Sequence, residues 1–147
     1  MRNGEKTYLR LDLDDIYQEF MIMVFQFLSP VKYEAGKILY TELDDINNIH
    51  FITYGSYDTG YTINKNNHWK IRRFKGSVIG MYEVTHRLRI RNNIKVKEAI
   101  EGLFIRKKDM RKIELSFGQM YRYIKMNSFF DYILLRSKLN KCKEADL

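Results

Sequence analysis

Phe51-Ile52-Thr53-Tyr54-Gly55-Ser56-Tyr57 and the following Asp58-Thr59-Gly60-Tyr61-Thr62-Ile63 run into a polar tip, Asn64-Lys65-Asn66-Asn67, and return as Trp69-Lys70-Ile71-Arg72-Arg73-Phe74. Alternating β-branched and aromatic residues on both sides of a polar tip predict two antiparallel strands and their hairpin. Gly36, in Tyr33-Glu34-Ala35-Gly36-Lys37-Ile38-Leu39-Tyr40, and Gly76, in Phe74-Lys75-Gly76-Ser77-Val78-Ile79-Gly80, border similar short runs. Gly36, Gly55 and Gly76 are therefore expected in turns between strands, and Leu103-Phe104-Ile105 as the last strand. Many short strands with turn signals at close intervals predict a small antiparallel roll or barrel.

On either side of this block the period changes to that of a helix. Leu13 to Leu28 carries Asp14 and Asp15 at its start and Ile16, Phe20, Met23 or Val24, and Phe27 on one face, and Pro30 marks its end. Beyond Lys107-Lys108-Asp109, the residues Met110, Ile113, Phe117, Met120 or Tyr121, and Ile124 share a face. Asn127 or Ser128 reads as the N-cap of a last helix carrying Phe130, Ile133, Leu134 and Ser137, with Lys138, Lys141 and Lys143 in its final turns. The expectation is an α+β, mainly β, single domain over residues 1–147. It divides into a helical segment at 1–30, a β-roll at 31–106 and helices at 107–147.

The 147 residues can bury one core, and 45% hydrophobic residues are too many for a disordered chain. A formal net charge of +8 favours anionic partners without choosing among them. The single cysteine, Cys142, allows no internal disulfide and fits a reducing, cytosolic setting. No apolar run approaches the ~20 residues of a membrane helix, and Met1 to Lys6 lacks the apolar core of a signal peptide. His50, His68 and His86 are scattered, so no metal is expected. Gly76-Ser77-Val78-Ile79-Gly80 lacks the lysine of a phosphate loop, and no nucleophile elbow or dinucleotide fingerprint occurs. Catalysis and nucleic-acid binding are not expected.

The order helix, short strands, helices resembles the cyclic nucleotide-binding domain over roughly Asp14 to Arg136. Phe51-Ile52-Thr53-Tyr54-Gly55-Ser56-Tyr57 matches that family's strand pattern, and Leu43-Asp44 keeps its acid without the preceding glycine. Arg106-Lys107-Lys108-Asp109 is similar to the charged start of its helix after the roll. Gly80-Met81-Tyr82-Glu83-Val84-Thr85-His86-Arg87-Leu88-Arg89-Ile90-Arg91-Asn92-Asn93-Ile94 stands where the family has its phosphate-binding cassette. In that cassette a Glu after the glycine accepts from the ribose 2′-OH, and an Arg ten residues on holds the cyclic phosphate. Here Met81 replaces the Glu, Ile90 stands at the Arg position between Arg89 and Arg91, and Asn92 and Asn93 replace small residues.

The resemblance implies Gly80, Met81, Tyr82, Glu83, Arg89, Arg91, Asn92 and Asn93 as the ligand-binding cassette. It implies Phe130, Ile133 and Leu134 as the lid-helix contacts, and cAMP or cGMP as ligand. With both the hydroxyl acceptor and the phosphate contact displaced, the deficit is about 3–6 kcal/mol, and cyclic nucleotide binding is expected to be weak or absent. Glu83 substitutes for the missing carboxylate only if the short helix is reshaped. Phe51 to Tyr61, Val78-Ile79-Gly80 and Glu101 to Lys108 are most similar to cytoplasmic domains of ciliate cation or potassium channels of the voltage- and cyclic-nucleotide-gated type. That likeness implies a cytosolic regulatory module whose partner is the rest of a channel subunit, with oligomerisation possible. The alternative is a ligand-free interaction or scaffold module that keeps the roll.

Overall fold

The computed structural model describes the backbone of residues 2–147 and the side chains of residues 15–147. Helix α1 (Arg2–Phe27) precedes strands β1 (Ser29–Tyr33), β2 (Ile38–Tyr40), β3 (Asn48–Ile63), β4 (Asn66–Arg73) and β5 (Val78–Ile79). A short helix α2 (Met81–His86), strand β6 (Asn93–Arg106) and helices α3 (Lys107–Ser116) and α4 (Gly118–Asp146) complete the chain. All strand pairings are antiparallel in the order β1-β6-β3-β4, with β2 on β6 and β5 on β3. Among the described residues no helix is long and apolar enough to cross a membrane.

The two long strands, β3 and β6, carry the sheet because their inward residues are β-branched or aromatic. Ile49, Ile52, Tyr57, Ile94, Val96, Ile100 and Ile105 are each at most 5% exposed. Each such side chain stabilises the fold by about 1.5–3 kcal/mol. At one end the core continues through Phe20 of α1, Met110 and Ile113 of α3 and Tyr121 of α4, and Phe20 meets Phe117 edge-on at 5.7 Å. The β3–β4 connection is a two-residue turn with Asn64 and Lys65 both at positive φ (51° and 66°), the geometry that matches strand twist.

Four local expectations are corrected. Gly36 and Gly76 lie in turns, but Gly55 sits inside β3, at a break in its register with β6. Its φ of +94° and the 2.2 Å that would separate a Cβ from the Ala99 carbonyl oxygen make it a bulge that only glycine can form. Helix α1 begins at Arg2, so Asp15 is interior to it; the side chain of Asp14 lies outside the described residues. Ile16, expected on the core face, is 47% exposed. Asn127 and Ser128 cap nothing, because α4 runs unbroken from Gly118 and the break falls at Phe117. Ser128 Oγ donates to the Lys125 carbonyl at 2.7 Å, which satisfies it within a helix as readily as at a cap.

Candidate ligand cavity beneath the last helix

Gly80 starts the site. Its φ of +92° turns the chain from β5 into α2, and a Cβ there would press on Ile46 Cγ2 and the Asn48 carbonyl oxygen, each at 3.0 Å. The turn sets α2 against the mid-part of α4 through a nearly parallel stack of Tyr82 on Tyr132, with centroids 3.8 Å apart and an angle of 6°. Thr85 Oγ1 and Ser128 Oγ share a buried hydrogen bond of 3.3 Å, and Arg136 Nη1 donates to Asn92 Oδ1 at 3.2 Å. Beneath these contacts lies a cavity of about 320 Å³.

The strands supply its floor with Tyr57, Thr59, Arg73 and Ile94, and α2 with its approach supplies a wall from Gly80 to Glu83, completed by Asn92. Helix α4 supplies the cover with Ile124, Asn127, Ser128, Asp131, Tyr132 and Leu135. Glu83 is 9% exposed, and burial pushes its carboxyl above the ordinary range, opposed only by its own backbone N–H. No side-chain hydrogen bond or ion pair to Glu83 occurs among the described residues. A buried acceptor in this state wants a donor, and the cavity is where one would come from. Arg73 is the one cationic residue among the described lining residues. Burial raises the Tyr57 hydroxyl, a rise opposed by the Ser77 hydrogen bond and then by the positive charge of Arg73.

Of the expected cassette, Gly80, Met81, Tyr82, Glu83 and Asn92 line the cavity. Three members do not. Arg89 Nε pairs with Asp45 Oδ1 at 3.1 Å, with both side chains mostly in solvent. Arg91 is exposed and absent from the lining. Asn93 is engaged by the turn after β2 and by β3, accepting from the Glu42 N–H and donating to Thr62 Oγ1, each at 2.8 Å. The expected lid contacts are displaced as well. Phe130, Ile133 and Leu134 are 57%, 45% and 63% exposed, and the cavity receives the neighbouring, more polar face of α4.

Arg73, Tyr57, Asp131 and Tyr132 were not anticipated as site residues. For Arg73 and Tyr57 a sequence signal exists: they lie on the two arms of the predicted hairpin, and the structure pairs them in register.

At its far end α4 is fastened to the β3–β4 hairpin. Asp146 Oδ2 accepts from Tyr61 Oη at 2.6 Å and from Lys70 Nζ at 2.7 Å, with His68 Nδ1 at 3.7 Å. These hydrogen bonds hold the Asp146 carboxyl below its usual range.

No family model matches the sequence, and no curated protein is similar to it in sequence. Solved structures are similar in fold. The C-linker/CNBHD of zELK channels, crystallised in the presence of cAMP, aligns with a TM-score of 0.65 at 18% identity, over 77% of this chain and 57% of that one. The Thermus thermophilus catabolite activator protein gives 0.66 at 11% identity, over 86% and 59%. The regulatory domain of Toxoplasma gondii PKA with cAMP gives 0.60 at 15% identity, over 65% of this chain and 36% of that one. This chain thus spans less than two thirds of the length of each of these three. Likeness at such identities is a likeness of fold, and the fold of this chain is the helix-flanked β-roll of cyclic nucleotide-binding domains.

Proposed function

We propose that this chain is a non-catalytic regulatory domain of the cyclic nucleotide-binding kind, in which filling of the cavity biases the position of α4. The observation that carries the reading is the buried Glu83, which has no side-chain partner among the described residues, in a cavity roofed by a helix. A ligand hydroxyl donating to Glu83 while the ligand also touches Asn127, Asp131 or Tyr132 binds the closed arrangement better than an open one. That difference in affinity is what shifts a conformational equilibrium. The domain's place is the cytosolic side of a cation or potassium channel, with the rest of the subunit as partner. The channel domain among the similar structures supports this reading.

Cyclic nucleotide binding is proposed to be weak. Glu83 stands in for the carboxylate missing at Met81, but neither Arg89 nor Arg91 reaches the cavity. One charge-assisted phosphate contact is worth about 1.5–3 kcal/mol, so its loss alone weakens binding roughly tenfold to 150-fold. The test is calorimetric titration with cAMP and cGMP, together with amide exchange along α4. Weak saturable binding that protects α4 and is lost in Glu83→Gln supports the proposal. Tight binding abolished by Arg89→Ala or Arg91→Ala overturns it.

The second reading is an interaction module, and α4 itself favours it. Tyr123, Met126, Phe130, Ile133 and Leu134 form an apolar stripe at helical spacing, each at least 45% exposed. Absence of any nucleotide effect on α4, with self-association or capture of a channel segment through this stripe, would favour that reading.

A further inference from the structure

A second recess, of about 350 Å³, opens where β6 passes into α3. It is lined by Asn47 and Asn48, at the entry to β3, and by Arg106, Lys107, Lys108 and Arg111. None of these residues lines the cavity beneath α4. The main chain holds the two segments together: the Lys107 N–H donates to the Asn47 carbonyl at 2.8 Å, and Asn48 faces Arg106 across the β3–β6 ladder.

Four cations thus share the recess. Among the described residues, none of them forms an ion pair, whereas Lys32, Lys70, Arg72, Arg87 and Arg89 each have a carboxylate partner. Asp109, the one acid in the first turn of α3, lies outside the recess lining and is engaged by Lys112 at 3.5 Å.

Their position compounds the cost. Arg106 is the N-cap of α3 and makes no side-chain capping bond, and Lys107 and Lys108 follow it. A helix start carries partial positive charge and disfavours cations. Mutual repulsion and the helix dipole therefore act in the same direction, and no carboxylate among the described residues offsets them. Local rules broken in this way mark functional sites. An anion seated in the recess relieves both terms, with the carboxamides of Asn47 and Asn48 as added donors.

We infer that this recess binds a small ligand carrying clustered phosphates, either free in solution or as the headgroup of a membrane lipid. A single phosphate, with a charge of about −1.5 to −2, neutralises at most half of the four cations, so the chemistry calls for two or more phosphates close together. This site is independent of the reading given to the cavity beneath α4.

The test uses the full chain and sodium tripolyphosphate, with orthophosphate for comparison, followed by calorimetry and by amide chemical shifts. Expected are saturable binding of tripolyphosphate, at least about tenfold tighter than orthophosphate, that weakens with salt, and shifts centred on Asn47, Asn48, Lys107 and Lys108. The Lys108→Glu/Arg111→Glu double variant should lose about tenfold or more, and the charge-matched surface control Lys75→Glu/Lys97→Glu less than about threefold. Both pairs lie on exposed positions, and far-ultraviolet circular dichroism checks that each variant folds.

Vesicles of phosphatidylcholine with and without a lipid bearing a phosphorylated inositol headgroup separate the two sources. Recruitment competed by tripolyphosphate identifies a headgroup, and tripolyphosphate binding without recruitment identifies a free ligand. Equal losses in both double variants, shifts scattered over the surface, or no saturation by about 10 mM tripolyphosphate would overturn the inference.

Discussion

Replacing Glu83 by Gln should make the empty domain more stable and the loaded one harder to form. In the empty cavity the carboxylate is 9% exposed with no side-chain partner, and a buried charged group in that state costs about 1–3 kcal/mol or more. The amide keeps the shape without the charge. For a chain of this length each kcal/mol moves the midpoint by about 2–4 °C, so Glu83→Gln should melt about 2–12 °C higher at neutral pH.

The pH dependence gives the sign. Burial raises the folded-state pKa of Glu83 above the ordinary 4.5, so the folded protein holds its proton where the unfolded chain has lost it. The wild type is therefore favoured at low pH and loses that stability as pH rises through the folded-state value. The advantage of Glu83→Gln should be near zero in acid, grow as the wild-type carboxyl ionises, and then level off. Differential scanning calorimetry across that range reads it directly. For binding the sign reverses, since a hydroxyl bonded to a carboxylate is lost, and affinity should fall about tenfold or more. A melting temperature lowered by Glu83→Gln at neutral pH, or displaced equally at every pH, would refute the reasoning and make Glu83 a structural partner.

Burial holds His50 neutral with a pKa of about 4, so the unfolded chain binds its proton first as pH falls from about 6.5; stability should drop by up to about 3 kcal/mol across that window, as denaturant melts will show. Tyr132→Ala removes the stack on Tyr82 and should speed amide exchange along α4, whereas Phe130→Ala, at a 57% exposed position, should leave exchange nearly unchanged. Leu43 stands at φ 72°, where the family resemblance has glycine, and Leu43→Gly should raise stability by about 0.5–1 kcal/mol in urea unfolding. Gly55→Ala should cost about 2 kcal/mol or more by the same measurement, because its Cβ meets the Ala99 carbonyl oxygen.

The roll was legible because the arms of the β3–β4 hairpin carry β-branched and aromatic residues and Asn64-Lys65 is turn chemistry, whereas of β6 only Leu103-Phe104-Ile105 stood out, since its burial does not alternate. Gly55 misled, since a glycine at positive φ reads the same in a bulge as in a turn, and only the β6 partner distinguishes them. The lid face was misread for a different reason. Hydrophobic periodicity selects Phe130, Ile133 and Leu134, but the face of α4 over the cavity mixes Asn127, Ser128 and Asp131 with Ile124, Tyr132 and Leu135, and periodicity alone does not pick it out. Arg73 was invisible to a motif search because it enters from a strand outside the cassette, beside Tyr57 on the paired strand.

The fastening of Asp146 to Tyr61 and Lys70 changes what kind of machine α4 can be. A helix of 29 residues spans about 43 Å, and this one is held both over the cavity and at its far tip. Its first turns are held too, by Tyr121 in the core beside Phe20, so under the proposed function only the turns between Tyr121 and the tail are left to bow away from the cavity.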